Sequence, residues 1–142
     1  LTGQNFARAY VHAALIGLDG EKMSKSKGNL IFVSKLIEAG VQPMAIRWAL
    51  LKRPYGEEYM WQRNETNIAQ VELDALTNKL QGLSIPPTDE LIARIYDLLS
   101  NNLRSAEAIA AINNWVASGG SGGDAKALRN VIDALLGIIL PA

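Results

Sequence analysis

Three lysines and two serines fall within one short stretch, "DGEKMSKSKGN", residues 19–29. Lys22, Lys25 and Lys27 carry ammonium groups on flexible stems, and Ser24 and Ser26 carry hydroxyl donors. Gly28 allows backbone angles closed to most residues. Such a loop suits a polyanion that arrives and leaves, such as the phosphates of ATP. In phosphate chemistry the gain comes from cations placed where negative charge develops. A mobile lysine arm that closes on pyrophosphate during its expulsion favours the transition state over the ground state. Most lysine clusters are solvated basic turns. Here Met23, an apolar side chain between two lysines, has no use in a merely soluble loop.

The elements around the loop must hold it. Residues 6–18, "FARAYVHAALIGL", predict a strand over about residues 10–16. Asp19-Gly20 predicts a tight turn, because both residue types tolerate positive φ. "LIFV", residues 30–33, reads as a short extended run beyond the loop. Ser34 is placed to cap a short helix ending at Gly40. Pro43 fits the first position of a further helix, with Met44, Ile46, Ala49 and Leu50 as its buried stripe. Pro54-Tyr55-Gly56 ends it.

From Trp61 the pattern becomes helical. Ile68, Val71, Leu76, Leu80 and Leu83 suggest a long amphipathic helix. "IPPT" ends it, and Thr88 with Asp89 and Glu90 starts the next, whose stripe is Leu91, Ile92, Ile95, Leu98 and Leu99. A third helix from about Ser105 carries Ile109, Ile112 and Val116, with Trp115 in its apolar stripe. "SGGSGG" has the composition of a flexible linker. Asp124 is placed to cap a last helix running through Leu140. Trp48 and Trp61 are expected to pack at the junction of the two halves, and Glu57-Glu58 to form a solvated face.

The 142 residues, 49% hydrophobic and 20% charged, fit a globular protein. No apolar run approaches the about 20 residues of a membrane span. The last one, "VIDALLGIIL", contains Asp133. The start "LTGQNFARAY" lacks the pattern of a secretory signal. Without cysteine there is neither disulfide nor thiolate metal site, and a cytoplasmic setting is expected. The first residue is Leu1, so a piece of a longer protein is expected. Charge is uneven: residues 1–61 hold eight Lys/Arg against five Asp/Glu, a net of +3, and residues 62–142 hold six against nine, a net of −3.

"KMSKS", Lys22 to Ser26, is similar to the second ATP-binding motif of class I aminoacyl-tRNA synthetases. The longer "DGEKMSKSKGN" resembles cysteinyl-tRNA synthetases and their relatives, the mycothiol cysteine ligases, which join cysteine to the amine of glucosaminyl-inositol. Residues 10–51 resemble the ligase family nearly continuously, through "GNL", "VSKL" and "AIR..LL". "AIAAINNW" and "IDALLGIIL" resemble its later segments more loosely. The chain departs from that pattern at "PYG", residues 54–56, where relatives carry "HYR", and at "RSA", residues 104–106, where they carry "DTP".

The resemblance implies a mostly α chain. Residues 1–60 would be the end of a class I synthetase-like Rossmann catalytic domain (strand, KMSKS loop, short helices). Residues 61–142 would be a bundle of about four helices. It implies catalytic roles for Lys22 and Lys25, with Lys25 the main pyrophosphate partner. It implies ATP contacts, with Mg2+, from Ile16, Lys22, Met23, Ser24, Lys25 and Ser26, Ile16 through its backbone. No metal ligand is expected here. His12, the only histidine, reads as a packed residue. The H-x-G-H-like first motif and the zinc site for the cysteine thiol would lie in an N-terminal catalytic portion.

The implied substrates are ATP, cysteine and an amino sugar-inositol. A monomer is expected, with no nucleic-acid or membrane partner. Two alternatives stand beside this. The C-terminal part of a cysteinyl-tRNA synthetase would need the helical half to hold anticodon RNA, against its net −3 charge. A non-catalytic helical interaction module would leave the lysine loop unexplained.

Overall fold

The computed structural model describes residues 3, 4 and 6–141. A small sheet carries the lysine loop. Strand β1 (Ile16–Leu18) turns at Asp19-Gly20 into β2 (Glu21–Lys22). Asp19 and Gly20 have φ of 53° and 83°. Two positive values in succession bend the chain with the twist a two-residue hairpin needs. Gly17 faces Lys22 and Leu18 faces Glu21 across it. Beyond the loop come helices α1 (Val33–Glu38) and α2 (Pro43–Leu51). The chain then returns as β3 (Tyr59–Trp61), parallel to β1 on its other side. A parallel neighbour requires such a crossover. The strand order is β2-β1-β3.

Several local expectations change at this level. The strand begins at Ile16 rather than near Tyr10. Residues 10–15 form none, and His12 is exposed rather than packed. Helix α1 starts at Val33 with Phe32 as N-cap, so Val33 is helical and Ser34 does not cap. It stops as expected at Gly40, whose φ is 88°. There the Gly40 N–H donates to Ile37 O and the Val41 N–H to Leu36 O, satisfying two carbonyls that the helix end leaves open. Helix α2 does start at Pro43, but it buries Ala45, Ile46, Trp48 and Ala49, whereas Leu50 is exposed and Met44 half-buried.

The remaining chain forms the four-helix bundle: α3 (Glu65–Leu80), α4 (Asp89–Ser100), α5 (Ser105–Ala117) and α6 (Ala125–Leu136). The buried stripe of α3 is Ala69, Leu73, Leu76 and Leu80, spaced four, three and four. Ile68, Val71 and Leu83 point outward instead. Along α4, Leu91, Ile95 and Leu98 are buried as their spacing predicts, and Trp115 of α5 is buried likewise. The Trp115 indole N–H donates to Pro87 O at 2.9 Å. One continuous apolar cluster runs from Leu18 through Trp48 and the four bundle helices to Ile138.

Helix α6 is capped as its sequence predicts, Asp124 Oδ1 accepting from the Ala127 N–H at 2.9 Å. The Asp124 N–H in turn donates to the hydroxyl of Thr88, which is buried. The helix ends at Leu136, four residues before the expected end, because Gly137 turns left-handed with φ 63°. The Arg47 guanidinium lies over Gly137 and its Nε donates to Leu136 O at 2.6 Å. "SGGSGG" is docked rather than free. The Gly123 N–H donates to Ile85 O, and a Cβ at Gly123 would fall on the Pro86 carbonyl. Among the described residues, no helix is long and apolar enough to cross a membrane.

Candidate functional site: the lysine loop

The loop begins where β2 ends. Lys22 is the last strand residue and is exposed. Met23 turns the other way and packs, half-buried, against the core. That gives the apolar residue between two lysines its role: it anchors the loop while Lys22 and Lys25 project from it. Residues 25–28 then form a turn closed by the Gly28 N–H donating to Lys25 O at 3.2 Å. Gly28 has φ 66°, which a residue with a Cβ adopts only under strain.

The polar groups fall into two sets. One set is used inside the loop. Ser24 Oγ lies 3.3 Å from Ser26 Oγ and accepts from the Lys27 N–H at 3.3 Å. Lys27 Nζ sits 2.8 Å from Glu21 Oε2, both side chains more than half exposed. An exposed pair like this stabilises by at most about 1 kcal/mol, so its effect is to localise one ammonium group. Asn29 closes the loop with both ends of its amide: Oδ1 accepts from the Ser24 N–H at 2.8 Å, and Nδ2 donates to Lys22 O at 3.2 Å.

The other set is uncommitted. Among the described residues, the ammonium groups of Lys22 and Lys25 have no ion-pair partner. The N–H groups of Lys25 and Ser26 have no acceptor within the described chain. Of the loop's three lysines, then, only Lys27 forms an ion pair among the described residues.

Ile16 stands on β1, opposite Tyr59 of β3. Its neighbour Gly17 pairs with Lys22, the first residue of the lysine loop, across the hairpin. Five of the six residues expected at the nucleotide are thus contiguous, from Lys22 to Ser26, and the sixth lies one strand away. Gly17 beside it must be glycine, since a Cβ there would run into the Met60 thioether and the Glu21 carbonyl. Behind β3, the Arg53 guanidinium lies 5.3 Å from the centre of the Tyr59 ring and 3.1 Å from Glu65 Oε1. Burial raises the Tyr59 phenol above its ordinary value, the Glu65 carboxylate adds to this, and Arg53 opposes it.

Two polar residues of this site carry no sequence-derived role, Glu21 and Asn29. A charge pattern of one acid among three lysines could have pointed to Glu21. Asn29 has only the general signal of an asparagine after a glycine, which reads as an ordinary turn. Among the described residues, no three His, Cys, Asp or Glu side chains converge as a metal site.

The loop lies inside a region that matches a known family. The family model of the tRNA synthetases class I (C) catalytic domain matches residues 1–72. The chain belongs to this family. The match covers the sheet, the lysine loop, α1, α2 and the first half of α3. Three similar relatives each bear the name L-cysteine:1D-myo-inositol 2-amino-2-deoxy-alpha-D-glucopyranoside ligase. The one from Kribbella flavida is 45% identical over 98% of this chain and 35% of its own length. That from Tsukamurella paurometabola is 44% identical over 99% of this chain and 36% of its own. That from Streptomyces coelicolor is 43% identical, with the same two shares. The similarity to these ligases therefore continues past the class I (C) catalytic-domain match and through the helical bundle. The chain spans about a third of the length of these curated relatives.

Proposed function

We propose that this chain is the C-terminal part of an ATP-dependent ligase that activates cysteine and transfers it to the amine of an amino sugar-inositol, as in mycothiol biosynthesis. The observation that carries the reading is the 42–45% identity, over nearly the whole chain, to ligases named for these two substrates. In the first step a cysteine carboxylate oxygen attacks the α-phosphorus of ATP, giving cysteinyl-AMP and pyrophosphate. In the second, the amine nitrogen attacks the activated carbonyl carbon. The bond to the AMP oxygen breaks, AMP leaves, and the nitrogen loses a proton to solvent.

In this reading, residues 1–60 end the catalytic domain and residues 61–142 form the helical bundle domain. Lys22 and Lys25 are the catalytic cations. Lys22, Met23, Ser24, Lys25 and Ser26, with the Ile16 backbone, receive ATP and its Mg2+. What supports this is that, among the described residues, the Lys22 and Lys25 ammonium groups have no ion-pair partner and the Lys25 and Ser26 N–H groups no acceptor. Zinc for the cysteine thiol would belong to the preceding portion of the parent protein. That portion would pack on the exposed apolar side chains at this end of the chain, among them Phe6, Val11, Leu15 and Phe32. The assembly would act as a cytoplasmic monomer.

The family match also favours a second reading, a cysteinyl-tRNA synthetase. One experiment separates the two. The full-length protein is supplied with cysteine, ATP, and either 1D-myo-inositol 2-amino-2-deoxy-α-D-glucopyranoside or cysteine tRNA. AMP release with the amino sugar, together with uncharged tRNA, is the expected result. Aminoacylated tRNA and no amide product would replace the ligase by the synthetase.

A further inference from the structure

We infer that Asn29 is a positioning residue for the lysine loop, a clasp that holds residues 22–26 in the shape that receives a diphosphate or triphosphate. This rests on the phosphate role proposed above for the loop. Five or more residues rich in Ser, Lys and Gly would otherwise sample many conformations, and fixing each backbone unit costs about 1–2 kcal/mol. Apolar anchoring comes from Met23 alone within this stretch. Asn29 supplies the second tether, and its amide bonds reach back five and seven residues.

The choice of side chain follows from the geometry. The clasp needs an acceptor for the Ser24 N–H and a donor for Lys22 O, both on a stem of one methylene. Asparagine offers both. Aspartate keeps the acceptor, loses the donor, and sets a negative charge beside the phosphates. Alanine loses both. The clasp also decides which backbone donors remain. Asn29 consumes the Ser24 N–H and Ser24 Oγ consumes the Lys27 N–H. The N–H groups of Lys25 and Ser26, between them, stay without an acceptor in the described chain. Two adjacent free N–H groups in a turn, flanked by unpaired ammonium groups, form a concavity suited to phosphate oxygens.

The test uses full-length protein carrying Asn29→Ala or Asn29→Asp, with two readouts. The first is independent of catalysis: amide hydrogen exchange at Ser24, and the affinity for inorganic pyrophosphate. In Asn29→Ala, exchange at Ser24 should accelerate and pyrophosphate should bind about ten- to thirtyfold more weakly, the effect of losing two hydrogen bonds. Asn29→Asp should restore slow exchange at Ser24 without restoring pyrophosphate affinity. The melting temperature should fall by no more than a few degrees, because Asn29 lies outside the apolar core. The second readout is the rate of cysteine-dependent pyrophosphate release, which should fall by a similar factor with cysteine affinity unaltered.

Unchanged Ser24 exchange and unchanged pyrophosphate affinity in Asn29→Ala overturn the clasp. A wild-type protein that binds pyrophosphate yet releases none from ATP and cysteine overturns the proposed function and leaves the clasp standing on the first readout. A wild-type protein that does not bind pyrophosphate at all overturns both.

Discussion

The Trp48 indole N–H donates to Glu72 Oε2 at 2.7 Å, and Glu72 Oε1 lies 2.6 Å from Lys52 Nζ. One carboxylate on α3 thus ties down both the buried tryptophan of α2 and the lysine that follows that helix. Burial alone would raise the Glu72 carboxyl. Hydrogen bonds from Lys52, Trp48 and Asn113, with the Lys52 charge, outweigh it and hold the group below its ordinary value. Helix α2, the second helix after the lysine loop, is thereby fastened to the bundle.

The first prediction concerns that carboxylate. A group whose folded value is depressed contributes stability above its unfolded value and loses it as pH falls through the folded one. Glu72→Gln should therefore cost about 1.5–3 kcal/mol at neutral pH, the range for a hydrogen bond to a charged group. It should also flatten the loss of stability on acidification. Urea unfolding at pH 7 and at successively lower values checks both. Equal stabilities at pH 7 would remove Glu72 from the fastening.

Lys25→Ala in the full-length protein should slow pyrophosphate release by about 10²–10³-fold, the scale of one lost charge-stabilising donor. Cysteine affinity should barely move, since Lys25 is exposed on the loop and its proposed partner is pyrophosphate. Rapid-quench measurement of the first turnover reads this directly, and a near-wild-type rate would take the loop out of the chemistry.

Gly17→Ala should destabilise by about 1–3 kcal/mol through overpacking against Met60 and the Glu21 carbonyl. Met60 is flexible and about two-fifths exposed, at 41%, so Met60→Ala in the same chain should recover part of the loss. The backbone clash with Glu21 should retain the rest. Thermal melts of the two single variants and the double variant give the coupling.

Residues 62–142 carry three more acids than bases, and their field should repel a phosphate backbone. Trp115, the aromatic of α5, is buried and bonded to Pro87, so it is not available to stack on a base. Filter binding with cysteine tRNA at low salt should show no saturable complex. Micromolar, tRNA-specific binding would favour the synthetase reading over the ligase.

Much of this architecture was legible from local chemistry. Asp19-Gly20 turns because both positions need positive φ, Pro43 opens α2, Asp124 caps α6, and Leu91, Ile95 and Leu98 share one face by their spacing. Lys22 to Ser26 announced themselves by residue type and order. What the sequence left open depended on partners distant along the chain. The length of β1 was set by β3, some forty residues later, which pairs only with residues 16–18. The face of α3 was undetermined because Ile68 and Val71 match a helical period as well as Ala69 and Leu73 do. The helices packed on it, α2 and α5, decided for the second pair. Gly119 to Gly123 reads as a free linker until Pro86 is found against it. Asn29 reads as a turn residue until folding brings Lys22 O and the Ser24 N–H within reach of its amide. Short-range dihedral and capping preferences are written in the residues themselves. Packing faces, strand lengths and hydrogen-bond clasps exist only once separate segments meet.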